Sequence, residues 1–170
     1  SIIHSKPKVM DYSWQKAHQP LVRELGWSLF SPPIAHFGAT ASDPLWQPIL
    51  DEEARHLLAT LDANPSPLAK DLAALPDRRL GARFEAMWRF FLEHHSFYQV
   101  LAANLQIVEA GRTLGAIDFL IRDQYSGQVI HLELAVKFYL YSPGGASRGG
   151  LADWIGPNPD DDLAKKITHL

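Results

Sequence analysis

At His95-Ser96 the spacing of apolar residues changes from helical to alternating, and that change constrains the fold more than any other feature. Upstream, RLGARFEAMWRFFLEH (Arg79 to His94) sets Leu80, Phe84, Met87, Trp88 and Phe91 on one wide stripe, the pattern of a helix with a buried face. Downstream, three runs of period two follow: Phe97 to Glu109, Leu114 to Asp123 and Gln128 to Tyr141. Gly111 in EAGRT and Ser126-Gly127 in QYSGQ supply hairpin-turn chemistry, so neighbouring strands should be antiparallel. The expected core is therefore a helix leading into a three-stranded antiparallel meander, an α/β (α+β) arrangement.

Shorter helices precede this core. QPLVRELGWSLF, from Gln19 to Phe30, has Pro at an early helical position and Leu21, Leu25 and Leu29 on one stripe, and it ends at Ser31-Pro32-Pro33. Asp43 can cap a second helical pattern that runs to Leu61 with a break near Pro48, and Ser66 to Leu75 can form a third helix. Beyond the strands, Gly144-Gly145 and Gly149-Gly150 mark a mobile loop. Asp160-Asp161-Asp162 then places negative charge where a helix N-terminus favours it, ahead of Leu163, Ile167 and Leu170. A chain of 170 residues with 46% apolar content supports one core, so the expectation is a single domain over 1–170, with a helical extension over 1–78 and the core over 79–170.

Composition narrows the function classes. No stretch approaches the roughly 20 apolar residues needed to cross a bilayer, and Ser1 to Met10 lacks the apolar segment that export requires, so the expected location is cytoplasmic with no membrane partner. The absence of cysteine removes disulfides and thiolate metal ligands. With a net charge of −3 no whole-molecule field draws the chain to a polyanion, and nucleic-acid binding would need a local basic patch.

Alternation puts His131, Glu133, Ala135, Lys137 and Tyr139 on one face of the third run, with Leu132, Leu134, Val136, Phe138 and Leu140 on the other. In the second run Ile117, Phe119 and Ile121 mark the apolar face and leave Ala116, Asp118 and Arg122 opposite. A loop over 124–127 with Asp123 opposite Gln128 keeps the apolar faces matched and pairs Asp118 with Glu133. With Gly111 at the first turn, Asn104 falls beside Asp118 and Gln106 beside Ala116. Two carboxylates across a ladder have Cβ atoms about 5 Å apart and repel unless a proton or cation intervenes, so the pair suggests a Mg²⁺ or Mn²⁺ site. Lys137, one face-repeat beyond Ala135, can reach back to orient water or stabilise a phosphate. On the helix, Glu85 lies about 140° from Leu80 and next to Leu92 at about 120°, which sets its carboxylate at the edge of the buried face. His131 is in reach as a further ligand, but a half-exposed strand histidine is its simpler reading. His94 and His95 point in different directions, and His36 and His56 read as surface or packing histidines.

The stretches RLGARFEAMWRFFL, NLQIVEAGRTLGAIDFLIRD and HLELAVKFYL closely resemble a bacterial family catalogued as domain of unknown function 1853, grouped with the PD-(D/E)XK nuclease-like superfamily. LVRELGWSLFSPP and WIGPNPDDDLAKKITHL look like the same family, so the likeness covers most of 19–170. The resemblance implies an α-β-β-β-α-β core in which a helix acid, an Asp and a Glu-x-Lys bind metal and position water for phosphodiester cleavage. Carried over, Glu85 matches the helix acid, Asp118 the metal-binding Asp and Glu133 the second ligand. The superfamily lysine falls at Ala135, whereas this chain has Lys137 two residues on, and the last core strand has no counterpart, the mark of a fragment. The expected function is a metal-dependent phosphodiesterase acting on DNA or RNA with Mg²⁺ or Mn²⁺. The alternatives are a nuclease-like fold that binds nucleic acid without cutting it and a structural or interaction module.

Overall fold

Pro20 opens the first helix, α1 (Pro20–Phe30). Its entry has no side-chain cap of its own. Instead the amides of His18 and Gln19 donate to the Asp62 carboxylate, at 3.1 and 2.8 Å, from the end of α2 (Glu52–Ala63). The cap of α2 is Asp51, which accepts the Ala54 N–H at 2.8 Å. The expected cap Asp43, the break at Pro48, His36 and the loop glycines at 144, 145 and 149 lie outside the described residues, which are 12–31, 50–142, 150–158 and 160–168 of this computed structural model. Helices α3 (Ser66–Ala73) and α4 (Leu80–His94) complete a helical layer. Val22, Leu25, Leu58, Leu68, Met87 and Phe91 are all fully buried, and Arg83 on α4 makes a two-pronged ion pair with Glu24 on α1, at 2.5 and 2.7 Å.

The three expected strands are present as an antiparallel sheet in the order β1-β2-β3: β1 (Tyr98–Glu109), β2 (Arg112–Asp123) and β3 (Val129–Leu132). Ala110 and Gly111 both take positive φ, 47° and 78°, the two-residue turn whose twist matches a hairpin. Gly127, φ 71°, closes the second turn, where Asp123 accepts the amides of Tyr125 and Ser126. Phe119 and Ile121 are buried, with Arg89 of α4 lying 5.8 Å above the Phe119 ring.

Two features of the sheet depart from the expectation. The distal half of the hairpin, 104–116, is exposed on both faces, so Leu105 and Ile107, at 44% and 43% exposure, do not enter the core. Lengths explain this: fifteen helical residues of α4 span about 22 Å, whereas twelve strand residues reach about 40 Å. The third run also does not form one strand to Tyr141. It leaves the ladder after Leu132, residues 133–139 pair with nothing in a ladder, and β4 (Leu140–Tyr141) pairs instead with β5 (Trp154–Ile155).

The described residues form two compact units, one ending at Leu134 and the other beginning at Ala135. The second holds the β4-β5 pair and α5 (Leu163–Thr168), where Asp162 accepts the Lys165 N–H at 2.8 Å. Asp162 thereby fills the role expected of the acidic run. Among the described residues no helix is long and apolar enough to cross a membrane.

Candidate functional site

The β2-β3 register is the one the loop length dictates: Phe119 pairs with Leu132, Leu120 with His131, Ile121 with Ile130 and Arg122 with Val129. One step further places Asp118 opposite Glu133, and there the backbone ladder stops. In its place the Asp118 carboxylate accepts the Leu134 N–H at 2.7 Å. A side chain thus takes the amide that a continuing strand would have used, which is the local reason β3 ends. A carboxylate accepting one such bond keeps its remaining lone pairs free for another donor or an ion.

Glu133 stands just beyond β3, half-exposed, and His131 comes within 3.8 Å of it, Nε2 to Oε2. Glu85 is on the second turn of α4, partly buried as its angular position requires. Burial raises the pKa of its carboxyl above the ordinary 4.5, and the negative charges of Asp118 and Glu133 raise it further, with Asp77 adding to them and Arg89 opposing. The Glu85 carboxyl on α4 therefore senses the charges of Asp118 on β2 and Glu133 just beyond β3. Among the described residues, no three His, Asp or Glu side chains are grouped so as to hold an ion between them. The oxygen donors fit a hydrated Mg²⁺ or Mn²⁺, which binds through one or two carboxylates and keeps water or phosphate in its other positions.

Asn104 is opposite Asp118 in register, between the pairs Ala103–Phe119 and Leu105–Ile117, and Gln106 pairs with Ala116 as expected. Asn104 takes φ 51°, a left-handed conformation that Asn tolerates better than most residues. Lys137 belongs to the second unit, where its ammonium pairs with Asp161 at 3.4 Å.

A second polar cluster escaped the sequence reading. His95 is buried, with Nε2 3.1 Å from Asp51 Oδ1 and Nδ1 accepting the Phe97 N–H at 3.3 Å, while Ser96 donates from both its amide and its hydroxyl to Glu53. The neighbouring His94 turns away and stacks on Phe90 at 4.0 Å, as helical geometry requires of adjacent residues. Asp51 and His95 are 44 positions apart, and no local pattern announces their meeting.

A family model described as "Domain of unknown function (DUF1853)" matches residues 23–170. The chain belongs to the DUF1853 family. The match takes in most of α1 and all of α2 through α5, and with them Glu85, Asp118, Glu133 and Lys137. Searches of curated proteins and of solved structures match nothing to this DUF1853 chain.

Proposed function

We propose that the chain is a metal-dependent phosphodiesterase of nuclease-like type acting on DNA or RNA, with Asp118 and Glu133 as the metal-binding carboxylates of a PD-(D/E)XK-like core. The observation that carries this reading is that Asp118 and Glu133 stand where β2 and β3 part, and that the Glu85 carboxyl, whose proton affinity is raised first by burial, also feels the charges of both. Such crowding destabilises a fold unless a proton or cation relieves it, and perturbed carboxyls of this kind concentrate at functional sites. When bound, a divalent cation would activate water and neutralise charge developing on the phosphate. Asp118, steadied by the Leu134 amide, would hold one side of the ion. Glu133 is open to solvent and able to turn toward it. Glu85, whose carboxyl binds its proton more tightly than usual, would repel a phosphate less than an ordinary carboxylate does.

A second reading, binding without cleavage, is favoured by the Lys137–Asp161 pair, because a lysine already paired with a carboxylate has less of its charge to offer a transition state. The test is incubation of the protein with single- and double-stranded DNA and RNA in Mg²⁺ or Mn²⁺. Cleavage that falls on the order of a hundredfold or more in both Asp118→Asn and Glu133→Gln supports the first reading. Salt-sensitive binding with no cleavage supports the second. Neither cleavage nor divalent affinity would leave a structural or interaction role.

A further inference from the structure

β1 is an outer strand of the three-stranded sheet, and among the described residues no strand pairs with its free side. Exposed edges of this kind are ordinarily protected by charge or proline, because their unpaired N–H and C=O groups are a template for another strand. From Tyr98 to Val108 this edge carries neither. Its apolar face is also uncovered toward the hairpin tip. Phe119, opposite Ala103, is buried, but Leu105 opposite Ile117 and Ile107 opposite Gly115 continue the same face past the core and are exposed. Val108 and Leu114, where the hairpin register shifts, are 57% and 58% exposed. Single exposed leucines need no explanation, but contiguous apolar side chains along an open edge mark an interaction surface.

We infer that β1 pairs antiparallel with β1 of a second copy of this chain, joining two three-stranded sheets into one of six. Asn104 and Ala110 take positive φ, 51° and 47°, so the extended stretch of edge is Leu105 to Glu109 between them. Two identical strands related by a two-fold axis normal to the sheet keep each side chain on its own face, so paired residue numbers have an even sum. Centred on Gln106, the pairing sets Gln106 against itself and Leu105 against Ile107 of the other copy. The apolar patches of the two hairpins then merge. Charge selects this partner. A stretch whose one ionised group is Glu109, at its end, offers nothing to a charged strand. In this register the two Glu109 carboxylates belong to positions about 20 Å apart, beyond the reach of unscreened repulsion. The complement is an uncharged strand of equal length, which a second copy supplies. A pairing about 17 Å long buries on the order of 300 Å² per copy, less than the roughly 800 Å² of a standard interface, so the dimer is reversible and concentration-dependent.

The test is sedimentation velocity of the whole chain over about a hundredfold range of concentration, in the parent, Gln106→Lys, Gln106→Glu and an equimolar mixture of the two variants. Gln106 is exposed, so neither charge disturbs the core. The parent should pass from one chain mass toward two as concentration rises, with no larger species. Each variant alone sets like charges across the axis and should associate severalfold more weakly, whereas the mixture, with opposite charges there, should recover the parent's association or exceed it. Hydrogen exchange should slow with concentration at amides between 105 and 109. A parent that stays monomeric throughout overturns the inference. So does association that both variants keep unchanged, or exchange that is unaltered over 105–109, since either would put the contact on another surface. A series of ever larger species also overturns it, because a two-fold pairing closes at two copies.

Discussion

Glu85 is the residue at which the site's electrostatics become measurable. Burial and the charges of Asp118 and Glu133 raise its pKa above the ordinary 4.5, so the folded chain holds that proton more tightly than the unfolded one. The stabilisation is complete below the ordinary carboxyl range and is lost as pH rises through the raised folded value, above which ionised Glu85 opposes the fold. Glu85→Gln should accordingly raise the thermal midpoint at pH 7 to 8, with the gain shrinking to nothing toward pH 4. A pH-independent gain would mean that the carboxyl feels no such cluster. Lys137 supports a separate prediction. Its pair with Asp161 is largely solvent-exposed and holds the ammonium by no more than about 1 kcal/mol, so the engagement is easily given up. If the chain cleaves nucleic acid, Lys137→Ala should lower turnover much more than substrate affinity, because the proposed role is on the transition state. Cleavage at the parent rate would make Lys137 part of the scaffold.

Among the elements, α1 shows how tightly one position can be set. Gly26 packs under Trp14, and a Cβ there would lie 2.5 to 2.7 Å from the Trp14 Cγ, Cδ2 and Cβ atoms. Ala improves helix propensity by up to about 1 kcal/mol, but the overlap is with the rigid end of an indole and costs about 1–3 kcal/mol. Gly26→Ala should therefore lower the thermal midpoint, and a rise would show that Trp14 moves aside freely. The legibility of the strands has equally physical limits. Turn length and pleat parity together fix register, which is why Gln106–Ala116 and Phe119–Leu132 pair as the sequence implies. Parity says nothing of irregularities, and β1 shifts register between Val100 and Ala102 and again between Ile107 and Val108. Nor does alternation name a strand's partner. The run from Gln128 to Tyr141 keeps period two throughout, yet Leu134 gives its amide to Asp118 and Leu140 pairs with Ile155. The β2-β3 register up to Phe119–Leu132 could be read from local rules because it needs only one hairpin, whereas the Asp51–His95 contact spans 44 positions and could not.

For the whole molecule, the proposed site joins stability to both cation and proton. A ligand that binds only the folded chain at ten times its dissociation constant stabilises it by about 1.4 kcal/mol, which for a chain of 170 residues is a rise of about 3–6 °C in the thermal midpoint. In the absence of cation, raising pH through the elevated Glu85 pKa ionises a third carboxyl beside two others and works against the fold. With Mn²⁺ present the same ionisation supplies charge that the ion attracts, and ligands must be deprotonated to bind it, so the cation's stabilisation grows with pH. The two pH profiles, with and without Mn²⁺, should thus diverge as pH rises above the ordinary carboxyl range, the metal-free midpoint falling while the difference widens. Asp118→Asn and Glu133→Gln should collapse that difference, and they should do so with the fold intact, since Asp118→Asn keeps an oxygen to accept the Leu134 N–H. A gap that is constant across pH would place the ion on surface charge unrelated to these carboxylates. A gap that survives both substitutions would remove the metal from this site, and the phosphodiesterase reading with it.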